Sequence, residues 1–185
     1  PASVKTIVGG AETFNAREYY VLNYSANELA VAGNRTKFFV PVTINSPFAT
    51  CEITGVETQQ GLYMADAYKT QKATVTVKNV KSGFEVNAFS VNGTNYKLKD
   101  GTASIVMPWH ASTLDVHAVF NASATYGDTL RSIALPNGWK WMESPDEPVG
   151  AVGKNYFKAI YNGQEMDVAV TVSPATLTIE SVKAD

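Results

Sequence analysis

The sequence predicts an all-β protein, an antiparallel Ig-like β-sandwich followed by a second small β module. Three observations lead there. Apolar and polar residues alternate with period two along nearly the whole chain, as strands with one buried face require. The alternating runs are rich in valine, isoleucine, threonine and aromatic residues, which suit a pleated, half-buried surface. Turn signals separate them at short intervals, with no βαβ rhythm.

Taken in order, the first clear run is Lys37-Phe38-Phe39-Val40-Pro41-Val42-Thr43-Ile44. Pro41 has no N–H to give to a ladder, so this strand is expected at an edge or with a bulge. The next, Thr50-Cys51-Glu52-Ile53-Thr54, holds the one cysteine, read as a small buried hydrophobe. Further strands are expected over 73–78, 114–120, 166–172 and 175–182. Asn92-Gly93, Asp100-Gly101 and Asn162-Gly163 each sit between two such runs and supply the positive φ angles of tight hairpin turns. Residues 26–32 and 64–70 are the only stretches with helical character, and each is short enough for no more than a turn or two. A polar bridge spans 66–72, and Asn121-Ala122-Ser123-Ala124 follows the strong strand ending at Phe120. The main division is placed there. It gives a sandwich-sized domain over 1–121 and a small sandwich-like repeat module over 122–185, too short for a large core of its own.

Composition excludes several function classes. In 185 residues, 45% are hydrophobic and 17% charged, with a formal net charge of −2, so the basic face that nucleic acid demands is missing. No apolar run reaches the roughly 18–20 residues that a bilayer-crossing helix needs, so no membrane insertion is expected. One cysteine rules out an intramolecular disulfide and any multi-cysteine metal site, and two histidines leave little for histidine-based centres. Gly-x-Ser-x-Gly and His-Glu-x-x-His motifs are absent, and Gly9-Gly10 lacks the helix and lysine of a phosphate cradle. Asp66, Asp115, Asp128, Asp146 and Glu147 read as turn, loop or solvated-face residues rather than as a catalytic carboxylate pair. His117, opposite in face to Val116 and Phe120, is expected toward solvent or an inter-sheet edge. The expectation is a protein that is not an enzyme, with no cofactor and no dedicated metal site. Asp146-Glu147 is the candidate if a loop calcium ion is held. Sequons at Asn23, Asn34, Asn92 and Asn121 are read as asparagine and threonine serving turns and strands. The start at Pro1, without methionine, is read as that of a processed or excised chain, compatible with earlier removal of a signal peptide.

Two segments resemble repeat modules of Gram-positive surface proteins. Val75-Thr76-Val77, Phe84-Glu85-Val86, Val91-Asn92-Gly93-Thr94, Ile105-Val106-Met107-Pro108 and the run Leu114 to Phe120 resemble a divergent internalin-type B repeat over 73–120. The insertion Trp109-His110-Ala111-Ser112 departs from that pattern. Thr125-Tyr126-Gly127-Asp128, Leu135-Pro136-Asn137-Gly138-Trp139-Lys140-Trp141 and Tyr156-Phe157-Lys158-Ala159-Ile160-Tyr161 resemble a second repeat class over 125–172. Residues 1–71 carry no such likeness. The resemblance implies an extracellular or cell-surface, modular, non-catalytic protein, present as a monomeric module of a longer chain.

Aromatic residues are the functional candidates, since exposed rings stack on sugars and anchor interfaces. Trp139 and Trp141 share a strand face. They form either a platform for a polysaccharide or the core of a module with few other large residues, and the repeat pattern favours the core. Trp109, in a loop beside His110, either meets a ligand or packs over the sandwich end. Of Tyr19 and Tyr20, which alternate in face, one is core and Tyr20 is the candidate. Tyr63 and Tyr68 flank Asp66 in a binding loop or a linker. The function expected is polysaccharide or host-glycan binding through exposed aromatics. The alternative is a structural spacer or protein-binding adhesin module.

Overall fold

The computed structural model describes residues 6–7, 19–24, 30–31, 36–66 and 71–176. The protein is nearly all β, with several antiparallel sheets in a sandwich-like arrangement. Its strands are β1 (Thr6–Ile7), β2 (Tyr19–Leu22), β3 (Ala30–Val31), β4 (Thr36–Val40), β5 (Val42–Asn45), β6 (Thr50–Thr54), β7 (Thr58–Gln59) and β8 (Leu62–Asp66). They continue with β9 (Lys72–Lys78), β10 (Phe84–Val91), β11 (Thr94–Lys97), β12 (Thr102–Val106), β13 (Ser112–Thr125), β14 (Trp139–Trp141), β15 (Gly153–Tyr161) and β16 (Gln164–Ser173). The one helical turn among the described residues is a 3-10 turn at Leu130–Ser132. Of the two stretches with helical character, residues 64–66 close β8 and 30–31 form β3, while 26–29, 32 and 67–70 lie outside the described residues.

The chain divides into two compact units. The first comprises Pro1–Lys81 and Val86–His117, the second Ser82–Glu85 and Ala118–Asp185. The division falls inside β13, whose fourteen residues keep one alternating burial pattern throughout, so nothing in composition marks it at His117.

In the first unit, β2, β4, β8 and β7 lie side by side, β6, β9 and β12 form an antiparallel sheet, and β11, β10, the first half of β13 and β5 form a further run. Pro41 explains why the run from Lys37 to Ile44 becomes two strands. Lacking a donor, it ends the pairing of β4 with β8, and the chain continues as β5 in parallel register with β13, Val42 opposite Ser112 and Ile44 opposite Leu114. The Pro41 carbonyl still accepts from Ser112 N at 3.0 Å. Phe38 and Val40, Ile53, Ala65, Ala73 and Val75, Phe89 and Val91, Ile105 and Leu114 join one buried cluster, to which every one of these sheets contributes. Full burial of each large side chain contributes about 1.5–3 kcal/mol.

The second unit is built on β16, flanked by β13 in parallel and β15 in antiparallel register, with β14 on the far side of β15. Val168, Ala169 and Val170 are all fully buried, as befits a central strand. Leu130 and Val149 pin the long connection between β13 and β15 into this core.

Asn92-Gly93 and Asn162-Gly163 close the hairpins β10–β11 and β15–β16, every one of these residues at positive φ, and Asp100-Gly101 turns the chain into β12. A fourth turn of the same kind, Gln60-Gly61 between β7 and β8, has no such sequence signature at its first position. Parallel pairings, β2 with β4 and β1 with β3 among them, also go beyond the antiparallel expectation. Alternation fixes which face of a strand is buried but carries no information on strand direction.

Candidate functional site

The loop between β12 and β13 is tied down at both ends. Met107 is buried and donates its N–H to Gln71 O at 2.9 Å. At the other end Ser112 Oγ donates to His110 O at 2.9 Å and receives Asn92 Nδ2 at 3.0 Å, while Asn92 Oδ1 accepts Thr113 N at 3.0 Å. His110 is half-buried, with Nδ1 3.0 Å from Ala111 O. Trp109 is half-buried against the first unit's core, its ring centroid 6.4 Å from that of Phe38. Its carbonyl accepts from Asn23 Nδ2 at 2.8 Å, and Asn23 is itself buried and donates its N–H to Phe39 O. The Asn23 side chain is therefore sealed by structure. Trp109 Nε1 is buried and, among the described residues, meets no acceptor. Such a donor costs about 1–3 kcal/mol until something accepts from it.

Trp139 is 7% exposed. It stands at the centre of an aromatic cluster, 5.7 Å from Phe84, 5.8 Å from Tyr161 and 6.0 Å from Phe120, centroid to centroid. Of the two readings open for this residue, core is where its ring lies. Trp141 is half-buried and meets Phe157 edge to face at 6.2 Å. Tyr63, in β8 opposite Val40 and Thr58, is half-buried against the first unit's core. Tyr20 occupies β2 opposite Lys37, and Tyr68 lies outside the described residues.

Among the described residues the exposed aromatics are others: Tyr24 at 64%, Tyr126 at 58% and Tyr156 at 66%. Tyr156 carried a legible signal. In Lys154-Asn155-Tyr156-Phe157-Lys158 the two lysines share its parity, which sets that face toward water. A shallow depression beside β7 is lined by Phe39, Glu57, Thr58 and Gln59, with no exposed ring in it.

Among charged groups, Asp146 Oδ1 is held by Arg131 Nε at 3.1 Å and Nη2 at 2.7 Å in an exposed ion pair. Among the described residues no three His, Cys, Asp or Glu side chains gather as a metal ion would need. His117 is exposed, as its face implies, yet its Nε2 lies 3.2 Å from the buried Ser90 Oγ. Asp115, two residues along the same face, instead accepts from Asn45 Nδ2 at 2.6 Å. Cys51 is half-buried, its Sγ 4.0 Å from Ser46 Oγ, and burial pushes its thiol up. Lys158 Nζ lies between Asp167 Oδ1 at 2.7 Å and Glu165 Oε1 at 2.8 Å, and these hydrogen bonds hold the ammonium well above the usual lysine range.

No family model, curated protein or solved structure matches the chain.

Proposed function

We propose that this chain is a non-catalytic extracellular binding module of a secreted or surface-attached bacterial protein, and that it takes polysaccharide on exposed aromatic side chains. One observation carries the reading: Tyr24, Tyr126 and Tyr156 each keep more than half of their surface in water, Tyr156 within β15, Tyr126 just after β13 with its N–H on Ser173 O, and Tyr24 just after β2. A ring left in solvent gains nothing from core packing, and its polarised face suits the C–H face of a sugar. Low net charge and the likeness to Gram-positive surface repeats support the same reading.

Affinity electrophoresis and calorimetry against starch, cellulose derivatives, xylan and host glycans test it, with retardation by at least one expected. A folded protein that passes all of them unretarded sinks the proposal.

The second reading is a structural spacer or protein-binding adhesin module. It is favoured by the burial of Trp139 among Phe84, Phe120 and Tyr161, where a tryptophan serves cohesion rather than contact.

A further inference from the structure

In the second unit the register of three strands sets side chains in rows. Tyr156 of β15 is opposite Ala169 of β16, and Ala169 is opposite Asn121 of β13. One row along, Lys154 is opposite Thr171 and Thr171 opposite Ser123. Residues two apart on a strand share a face, so all six belong to the same face of the sheet. It is the face away from the core, because the alternate set, with Phe157, Val168, Val170 and Val172, faces inward. With strands about 4.8 Å apart, the row from Tyr156 to Asn121 is about 10 Å wide. Ala169 carries only a methyl between them and, at 0% exposure, is covered from solvent.

We propose that this face is a saccharide-binding platform centred on Tyr156, for a neutral polysaccharide chain. The proposal rests on the polysaccharide-binding reading above and names its site. A protein partner would want an apolar centre, but the rows around the ring here hold an amide, two hydroxyls and two ion-paired lysines, Lys154 with Glu85 and Lys158 with Asp167. A sugar has the complementary surface, an apolar C–H face for the ring and hydroxyls for the polar groups around it. Among the described residues the side chains of Asn121, Ser123 and Thr171 are exposed and make no hydrogen bond of their own, so their donors and acceptors are open to a ligand. Both ammoniums are already engaged, Lys158 Nζ by Asp167 and Glu165. Lys154 Nζ lies 6.0 Å from the Tyr156 ring centroid and 3.7 Å from Glu85 Oε2, which argues for a neutral chain over an acidic one.

The test is mobility of the full chain in native gels cast with hydroxyethylcellulose, mixed-linkage β-glucan, xylan or soluble starch, against polysaccharide-free gels. The wild type is expected to be retarded by at least one. Tyr156→Ala should weaken that retardation by about tenfold, the size of one aromatic stacking contact. Tyr156→Phe, which keeps the ring, should retain it, and so should Val106→Ala, an exposed apolar side chain of β12 in the first unit. Unchanged thermal unfolding of Tyr156→Ala shows that the fold is intact. If the wild type is retarded and Tyr156→Ala equally so, the platform is overturned while polysaccharide binding stands. If the wild type runs freely in every gel, both fall. Self-association of the wild type on a sizing column that Tyr156→Ala abolishes, without retardation, assigns the face to a second copy and overturns the platform.

Discussion

Trp139 stacks on Tyr161 across the β14–β15 ladder, the two rings tilted by 29° with centroids 5.8 Å apart. They are register partners, so the backbone ladder itself delivers the stack, and Phe84 and Phe120 close around it. This ties the stability of the second unit to one side chain. Trp139→Ala should lose about 3–5 kcal/mol, as buried large aromatics do, and Trp141→Ala, half-buried against Phe157, clearly less. Guanidinium unfolding followed by near-UV circular dichroism measures both. Equal losses would show that Trp139 is not the centre of the core.

Gly83 approaches the same cluster from another side. Its φ is +83°, and an added Cβ would come within 2.9 Å of Phe120 Cε2, a ring held in place by Phe84 at 5.3 Å and Trp139 at 6.0 Å. Gly163 has φ of +78° and nothing within 4 Å of the same atom. Alanine at either position bears the left-handed backbone penalty of about 1–2 kcal/mol, but only Gly83→Ala adds overpacking of about 1–3 kcal/mol. Urea midpoints of the two variants should differ in that sense, and identical midpoints would mean that the ring yields freely.

Much of this fold was legible because short-range chemistry decides it. Asn-Gly and Asp-Gly pairs turn where they stand, and Pro41 interrupts its strand for want of a donor. Gln60 was not legible, since glutamine at φ of +51° is imposed by the hairpin around it rather than chosen by the residue. The candidate site divides along the same line. That Trp139 and Trp141 share a face follows from strand geometry, but which side of that face meets a core depends on Phe84 and Phe120, far off in sequence. Tyr156 is legible, because Lys154 and Lys158 at the same parity set its face toward water.

Cys51 should be a slow nucleophile. Burial raises its thiol above the ordinary value of about 8.5, and the opposing contact with Ser46 Oγ is long at 4.0 Å. The thiolate is the reactive form, so at mildly alkaline pH less of it is present than in a free thiol. Iodoacetamide labelling read by mass spectrometry should run several-fold slower than for glutathione, and guanidinium should erase the difference. Labelling of the folded protein at the glutathione rate would contradict the burial.

The Lys158 ion triad makes a prediction with a definite sign. Its ammonium is held by Asp167 first and Glu165 second, which raises its folded pKa above the unfolded lysine value of about 10.4. A group whose pKa is raised by folding binds its proton more tightly in the folded chain. Its contribution is therefore complete below the unfolded value and is lost as pH rises through the folded one. All three side chains are about half exposed, so the contribution is small, up to about 1 kcal/mol, and screened by salt. The unfolding free energy of Lys158→Met should thus fall short of wild type by a constant amount between about pH 7 and 9, and the gap should narrow only above about pH 10.4. At about 1 M salt, where the Debye length is near 3 Å, the gap should shrink at neutral pH as well. A gap that widens with rising pH would mean that the triad does not stabilise the folded chain through the lysine charge.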